Sequence, residues 1–250
     1  MEGNVLGIGT ESLGGVEPSQ LPEVERLIAS TINLDTFSMT DFIRLQDWIS
    51  HELCQRYRRH VALAFTDIVD STAYLTRFGD VAGQALQQRY LDLVQESVTY
   101  REGRILDTAG DGCFMCFPQV EQAVQALSDL QRAVAAQNAV RFWDDRLAIR
   151  CGIHWGEVLT DGLTVKGYAV NLCARLCSSV PAGQVWMTRD AYLKLSNVSR
   201  LRCEHGSAIH AKGLSDRVEV FKLDWRLGND RRDVYCSTVD ARDSMIPALT

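Results

Sequence analysis

The sequence predicts an α+β domain built on a ferredoxin-like βαββαβ sheet, and three observations support this prediction. An apolar run over 62–69, interrupted only by Thr66 and Asp67, is typical of a buried strand. A Gly-Asp-Gly turn at 110–112 separates two β-prone segments and indicates a hairpin. Helical patterns on either side of this hairpin give the order strand, helix, hairpin, helix, strand, which is that of a ferredoxin-like sheet.

The individual elements follow from periodicity and turn signals, taken in chain order. Residues 1–20 show little pattern and are expected to form a mobile end. Helices are predicted at Leu21–Ser30 and Thr40–His60, the second because apolar residues recur at three- and four-residue spacing. The later predicted elements are strand 61–68, helices 70–78 and 80–101, hairpin strands 104–109 and 113–117, helix 119–139, strand 147–153, a strand or loop over 156–165, helix 168–178, strand 184–188, a short helix over 189–196, and strands near 200–205 and 217–223.

The composition is that of an ordinary soluble globular protein, with 46% hydrophobic and 23% charged residues among 250. We expect one domain at 61–225, between an N-terminal extension with helices (1–60) and a C-terminal tail (226–250). A formal net charge of −6 argues against general nucleic-acid binding. No signal peptide or long apolar span is recognised, and the eight cysteines lack metal-finger spacing, so we expect a cytoplasmic protein with reduced, structural cysteines. His154 is interpreted as structural because no second His or Cys stands at ligand spacing.

Two acidic stretches, FTDIVDST and RILDTAGDGCFMCF, form the candidate site. In the first, Asp67 stands inside an apolar run, where an ionised carboxylate is costly unless a partner compensates its charge. Ser71 and Thr72 follow at a predicted helix start, where free backbone N–H groups can hold phosphate oxygens. In the second, Asp111 occupies the hairpin turn. Taken singly, Asp67 could cap a helix and Asp111 could be an ordinary turn residue, but together they favour hard oxygen ligands for Mg²⁺ or Mn²⁺.

Further residues suited to a nucleotide site lie in the second half of the chain. Asn171 and Arg175 are four residues apart, which places both on one face of the predicted helix 168–178. Asn can hydrogen-bond a sugar, and Arg can bind a phosphate with two hydrogen bonds. Lys212 lies beside a glycine just before a strand, and Arg150 follows an apolar strand. Each of these residues could instead be a solvated or helix-capping residue.

Five segments, taken in order, resemble a class III nucleotidyl cyclase catalytic domain. They are FTDIVDST, GDGCFMCF, IRCGIHWGEV, GYAVNLCARL and HAKGLSDRVEVFKL, and the resemblance covers about 61–225. It implies a ferredoxin-like core with extra strands and short helices, assembled as a head-to-tail homodimer with two sites at the interface. It also implies conversion of a nucleoside triphosphate to its 3′,5′-cyclic monophosphate and pyrophosphate.

The resemblance further implies roles for individual residues. Two divalent cations, Mg²⁺ or Mn²⁺, would be held by Asp67, Ile68 and Asp111 of one subunit. From the other subunit, Asn171 would orient the ribose and Arg175 would stabilise charge on the α-phosphate. The two subunits would therefore each supply part of every site.

The same resemblance assigns the triphosphate to Lys212, Arg150 and the backbone around Ile68, Ser71 and Thr72. Metal ions would lower the pKa of the 3′-hydroxyl and neutralise charge on the phosphate oxygens. Because such chemistry consists mostly of positioning and electrostatics, no nucleophilic Ser or Cys is expected.

Two positions that select the base in the resembled family are Asp107 and Thr164 here. Adenylate cyclases of this type carry Lys at the first position, and guanylate cyclases carry Glu. An ionised Asp only accepts hydrogen bonds, so Asp107 argues against ATP and suits uracil N3–H, cytosine N4 or guanine N1/N2. This divergence resembles the pyrimidine cyclases of bacterial anti-phage (Pycsar-type) defence, which signal to a separate cyclic-nucleotide-gated effector. It implies UTP or CTP as substrate, with UTP favoured.

Two alternatives stay open. The first is a guanylate or adenylate cyclase of the same fold. The second, from a different class, is a degenerate domain that binds nucleotides or a partner without turnover. The presence of Asp67, Asp111, Asn171 and Arg175 argues against degeneracy, whereas the extra negative charge of Asp107 argues for it. The expected partners are a nucleoside triphosphate, a second copy of the chain and, indirectly, the effector, with no nucleic acid and no membrane.

Overall fold

The computed structural model describes residues 33–108, 110–210 and 217–227, together with the single positions 23, 27 and 31. The chain divides into two compact units, Met1–Leu53 and Cys54–Thr250. Apart from those single positions, the expected N-terminal end and the predicted helix Leu21–Ser30 lie outside the described residues, as does most of the expected tail.

Helices and strands are interspersed along the described chain. The helices are α1 (Met39–Tyr57), α2 (Ser71–Phe78), α3 (Asp80–Thr99), α4 (Val120–Ala139), α5 (Tyr168–Ser178), α6 (Arg189–Lys194) and α7 (Asn197–Arg200). The strands are β1 (Arg58–Ile68), β2 (Arg104–Asp107), β3 (Gly112–Phe117), β4 (Ile149–Thr160), β5 (Val165–Lys166), β6 (Val185–Thr188), β7 (Cys203–His205), β8 (Ile209–His210), β9 (Arg217–Val218) and β10 (Val220–Leu223). None of the side chains of α1 is buried.

The main sheet has the strand order β2-β3-β1-β4-β6-β10-β7, and β5 pairs with the far end of β4. Strands β2, β3, β1 and β4 pair antiparallel, whereas β4 and β6 are parallel. The first four strands have the arrangement of a βαββαβ ferredoxin-like sheet, with the later strands extending it. The predicted α+β fold is therefore confirmed.

The two faces of this sheet carry different partners, and β1 shows how the sequence assigns them. Successive side chains of a strand point to opposite faces. Ala62, Ala64 and Ile68 belong to the main core, which α3 and α4 cover, whereas Leu63 and Phe65 belong to a smaller cluster beneath α5. The same alternation places Asp67 on the α5 side.

One close approach on each face of the sheet fixes the elements around Asp67. The buried Thr66 hydroxyl is hydrogen-bonded to the phenol of Tyr90 on α3 at 2.6 Å, which holds the end of β1 in place. A Cβ on Gly152 would lie only 2.9 Å from the backbone nitrogen of Cys177, so the absence of a side chain lets α5 pack directly on β4. The face of α5 opposite this contact is therefore held in a fixed orientation.

Some predicted boundaries are wrong. The helix predicted at Thr40–His60 ends at Tyr57, because residues 58–60 already pair with β4 as the start of β1. Strand β4 runs unbroken from Ile149 to Thr160, where the sequence suggested a strand ending at 153 and a separate segment from 156. Gly156 lies within this strand and is in register with Val61 of β1. A Cβ at this position would lie 2.6 Å from Nε2 of His154 and 2.7 Å from Cβ of Ala169. The glycine therefore serves close packing within the strand.

Candidate active site

The two candidate metal-binding carboxylates meet at one edge of the sheet. Asp67 is the second-last residue of β1 and lies opposite Gly112 of β3. The Ile68 N–H donates to the backbone carbonyl of Asp111 at 3.1 Å, which ties the hairpin turn to the end of β1. The Ser71 hydroxyl donates to Oδ2 of Asp111. Residues that are about forty positions apart in sequence thus form one acidic edge.

A charged neighbour already compensates Asp67. Arg150, directly opposite Asp67 in the β1–β4 ladder, donates to its Oδ2 from Nε at 2.8 Å and also from Nη2. Burial raises the pKa of the Asp67 carboxyl, the Arg150 hydrogen bond opposes this, and the nearby charge of Asp111 raises the pKa further. The net pKa is raised, so the site holds two mutually repelling carboxylates whose charge a cation would relieve.

The start of α2 opens towards this acidic edge. Asp70 precedes the helix in the left-handed region, at φ 60°, and its side chain makes no capping hydrogen bond. The first backbone N–H groups of the helix are therefore left without a side-chain cap, which is the arrangement that suits an anion. A cleft of about 670 Å³ lies here, lined by Ser71, Thr72, Asp111 and Arg150 among others.

Arg175 on α5 carries the clearest unsatisfied donor. Its Nη1 is buried and makes no hydrogen bond with any residue of the described ranges. Asn171, one turn earlier, is exposed, while Cys173 and Cys177 point into the protein and are buried. Because an unpaired buried donor is costly, this guanidinium has an unmet hydrogen-bonding need that an anion could satisfy.

Asp107 and Thr164, the two positions predicted to select the base, are both exposed, but their surroundings differ. Asp107 ends β2, and its carboxylate makes no hydrogen bond or ion pair with another described residue. Thr164 belongs to a tight turn, where its N–H and its hydroxyl donate to Oδ1 of Asp161 at 2.7 and 3.1 Å. The N–H groups of Thr164 and Leu163 lower the pKa of Asp161, so this acceptor stays ionised. The hydroxyl hydrogen of Thr164 is thereby used, and its oxygen can only accept.

Of the other predicted site residues, Lys212 lies outside the described residues. Arg150 lines the cleft at the start of α2, but its guanidinium is bonded to Asp67 and is not free to receive a phosphate. Its Nη1 also donates to the Ser178 carbonyl at 3.1 Å. In the described part of the chain, three or more Cys, His, Asp or Glu side chains nowhere converge as a metal site. Metal binding at Asp67 and Asp111 would therefore need backbone and substrate oxygens as well.

His154 has the structural environment that the sequence interpretation assigns to it. It is 4% exposed, and its Nδ1 is hydrogen-bonded to the Thr188 hydroxyl at 2.9 Å. Burial lowers the pKa of its imidazole to about 4, although the charge of Asp190 acts in the opposite direction. The ring is therefore neutral at physiological pH.

This depressed pKa predicts a pH-dependent stability. The folded protein resists protonation of His154, whereas the unfolded chain takes up the proton near pH 6.5, so stability present above pH 6.5 is lost as the pH falls towards 4. Between pH 7.5 and pH 5 we expect this group to lower the free energy of unfolding by about 2 kcal/mol. Urea titrations at both pH values measure this difference in the free energy of unfolding. In His154→Asn this part of the difference should vanish, and an unchanged difference would contradict the assignment.

Sequence reasoning missed Gln87, which positions the acidic turn. Its side-chain amide on α3 donates to the backbone carbonyl of Gly110, immediately before Asp111. Gly110 itself has a φ of 69°, a left-handed conformation that glycine adopts without strain. The available sequence signal was a polar residue facing the hairpin from α3, and it becomes specific only when the packing of α3 is known.

The match to a known protein family begins at the same residue as the compact second unit. The family model described as the adenylate and guanylate cyclase catalytic domain matches residues 54–224. This chain belongs to that family. The cyclase domain so defined contains every candidate site residue named above.

Similar proteins include both adenylate and guanylyl cyclases. The receptor-type adenylate cyclase ESAG 4 of Trypanosoma brucei brucei is 25% identical over 214 residues, covering 68% of this chain and 17% of that protein. The structure of adenylate cyclases from Trypanosoma brucei in their monomeric state is similar with a TM-score of 0.57 and 25% identity, covering 68% and 92% of the two chains. The guanylyl cyclase Cya2 shares the fold, with a TM-score of 0.56 at 20% identity and coverages of 66% and 92%.

The curated relatives are much longer than the matched region. This chain spans between 7% and 22% of their lengths. In the described residues of the cyclase domain and its N-terminal helix, none of the helices is both long and apolar enough to cross a lipid bilayer.

Proposed function

We propose that this domain is a nucleotide cyclase that converts a nucleoside triphosphate to its 3′,5′-cyclic monophosphate and pyrophosphate. The observation that carries the proposal is the meeting of Asp67 and Asp111 beside the uncapped start of α2. In the reaction, a bond forms between the ribose 3′-oxygen and the α-phosphorus. The bond from that phosphorus to the bridging oxygen breaks, pyrophosphate leaves with the electron pair, and the 3′-hydroxyl proton passes to solvent.

The acidic edge would hold two divalent cations, Mg²⁺ or Mn²⁺, through Asp67, Asp111 and the Ile68 carbonyl. When bound, such ions lower the pKa of the attacking hydroxyl and neutralise charge on the phosphate oxygens. The repulsion between the two carboxylates, which contributes to the raised pKa of Asp67, supports this use of the edge.

The phosphate groups would lie along the start of α2, against the backbone of Ile68, Ser71 and Thr72. Arg150 lines the same cleft, and its guanidinium can exchange the Asp67 carboxylate for a phosphate oxygen. That exchange would free Asp67 at the moment when substrate and metal arrive together. Lys212 is proposed as a second triphosphate cation from its place in the family motif.

The remaining residues of the site would come from a second copy, in a head-to-tail homodimer. Asn171 of the second subunit would orient the ribose, and Arg175 of the second subunit would stabilise charge on the α-phosphate. The buried, unpaired Nη1 of Arg175 supports this arrangement, because the charge partner that this atom needs is supplied by no described residue of its own subunit.

For the base we propose a pyrimidine, with UTP favoured over CTP, since the acceptor-only Asp107 stands where the adenylate enzymes carry Lys. The product would then be cyclic UMP, a second messenger in antiviral defence, acting on a separate cyclic-nucleotide-gated effector. A guanylate cyclase is the second candidate, because Asp107 can also accept from guanine N1–H.

Product identification tests the proposal. The full chain is incubated with Mn²⁺ and an equal mixture of ATP, GTP, CTP and UTP, and the products are resolved by mass spectrometry. We expect a 3′,5′-cyclic nucleotide, cyclic UMP in excess, that is absent with Asp67→Ala. A mixture without any cyclic product would support the alternative of a non-catalytic nucleotide-binding domain.

A further inference from the structure

An irregularity in β2 changes which of its side chains face the substrate side of the sheet. Arg104 lies opposite Cys116 and Ile105 opposite Met115, but the register then shifts so that Asp107 lies opposite Phe114. In a regular strand, residues three positions apart point to opposite faces. The extra residue of a β-bulge restores them to the same face.

The face in question is the one that α5 covers. Cys116 and Phe114, the cross-strand neighbours of Arg104 and Asp107, both belong to the cluster on that side, together with Phe65. The rings of Phe65 and Phe114 stack with centroids 4.4 Å apart, so an aromatic floor lies beside Asp107. Arg104 and Asp107 are thus neighbours along one edge of the α5 side.

Arg104 also reaches the turn that carries the other base-selecting position. Its Nη1 lies 3.8 Å from the point where a Cβ on Gly162 would stand. Gly162 sits between Asp161 and Thr164, in the turn fixed by the Asp161 carboxylate. Arg104 therefore lies between Asp107 on its own strand and the turn that presents Thr164.

The charged groups of Arg104 and Asp107 both lack a partner in the described part of the chain. Neither the guanidinium of Arg104 nor the carboxylate of Asp107 makes a hydrogen bond or ion pair with another described residue, and both residues are exposed. They share a face and stand three residues apart, yet they do not pair with each other within 4 Å. This edge thus presents the N–H donors of Arg104 near the carboxylate acceptor of Asp107, with more than 4 Å between the two charged groups.

We propose that Arg104 and Asp107 together read the keto–imino edge of the substrate base, which rests on the cyclase function proposed above. Arg104 donates to a ring carbonyl oxygen, and Asp107 accepts from the adjacent ring N–H. Uracil offers O4 beside N3–H, and guanine offers O6 beside N1–H. Adenine and cytosine offer the reverse, an amino donor beside an unprotonated ring nitrogen. Arg104 would then face a donor and Asp107 a lone pair, so UTP and GTP are selected over CTP and ATP.

This reading makes Arg104 a specificity-determining residue and narrows the pyrimidine choice to UTP. Loss of one correctly oriented hydrogen-bonding pair typically changes discrimination between bases by about 1–3 kcal/mol, or about 5- to 150-fold. Loss of Arg104 should therefore change the ratio of kcat/KM values between bases. A merely structural role would instead lower the rates for all four nucleotides together.

The test compares wild type with Arg104→Met, which keeps an unbranched apolar stem and removes all the hydrogen-bond donors of the guanidinium. Values of kcat/KM are measured for each nucleoside triphosphate separately, and affinities for the four 3′-deoxynucleoside triphosphates, which cannot cyclise, are measured by calorimetry. We expect wild type to favour the uracil and guanine nucleotides by about 10-fold or more over cytosine and adenine, and Arg104→Met to lose most of that ratio. Arg189→Met, at an exposed position bonded to Glu219, should keep it.

The outcomes separate this proposal from the function on which it rests. Base-selective binding without any cyclic product would contradict the cyclase function and keep the reading of the base edge. Cyclic product with cytosine or adenine preferred, or an unchanged base ratio in Arg104→Met, would overturn the base reading and keep the cyclase. Absence of both binding and turnover for all four nucleotides would overturn both.

Discussion

Replacing Asp67 or Asp111 with alanine is expected to lower turnover by about 1000-fold or more, because each variant removes a carboxylate from the proposed metal edge. The fold should persist in both. Asp67 lies near the end of a strand that also pairs through its backbone with β3 and β4, and its raised pKa means that the folded state already disfavours its charge. Steady-state rates with Mn²⁺, together with thermal unfolding midpoints, check both statements.

The matched control for these variants is Asp92→Ala. Asp92 lies on α3, away from the acidic edge, and accepts a hydrogen bond from Gln88 only one turn away. Its rate should stay near that of wild type. Turnover within about tenfold of wild type in Asp67→Ala, with the fold intact, would show that this carboxylate holds no catalytic metal.

Arg175→Ala should lower the turnover number by about 100-fold or more, since it removes an oriented positive charge from the α-phosphate in the transition state. The KM should change much less than kcat, because the charge on that phosphate develops as the bond to pyrophosphate breaks. Stability should not fall, since the buried Nη1 has no partner to lose among the described residues. Steady-state kinetics for Arg175→Ala and Arg175→Lys measure the effect.

Arg189→Ala serves as the matched control for that prediction. Its guanidinium is exposed and pairs with Glu219 at 3.4 Å, and it belongs to α6 and not to α5. Kinetics like those of wild type in Arg189→Ala would attribute the loss to the position of Arg175 and not to its charge alone. A KM that rises while kcat stays constant in Arg175→Ala would place this arginine in ground-state binding only.

Much of the fold could be predicted because its signals are local. The apolar run that ends at Asp67, the Gly-Asp-Gly turn and the periodic helices each depend on a few neighbouring residues, and they recovered the βαββαβ order. The mistaken break in β4 arose because the contacts that explain this stretch are not local in sequence. Gly156 looks like a turn residue in isolation, and only the approach of His154 and Ala169 explains it as a strand residue.

The candidate site was predictable as a set of residue types, but not as an arrangement. The sequence indicated Asp67 and Asp111 together, but the bond from Arg150 to Asp67 depends on the β1–β4 register, and such long-range pairing leaves no local signal. The same limit applies to Arg104, which shares a face with Asp107 only because β2 contains a bulge. Likewise, nothing in the sequence shows that the hydroxyl of Thr164 is already bonded to Asp161.

We propose that each catalytic site combines the acidic edge of one subunit with Arg175 of another, and subunit complementation tests this shared site most directly. Asp67→Ala and Arg175→Ala chains with different affinity tags are co-expressed, and mixed dimers are purified on both tags in turn. Each parent variant should be nearly inactive alone, whereas the mixed dimer retains one intact site of two and should show about half of the wild-type activity. A mixed dimer as inactive as its parents would contradict the shared site and place all the catalytic residues within a single chain.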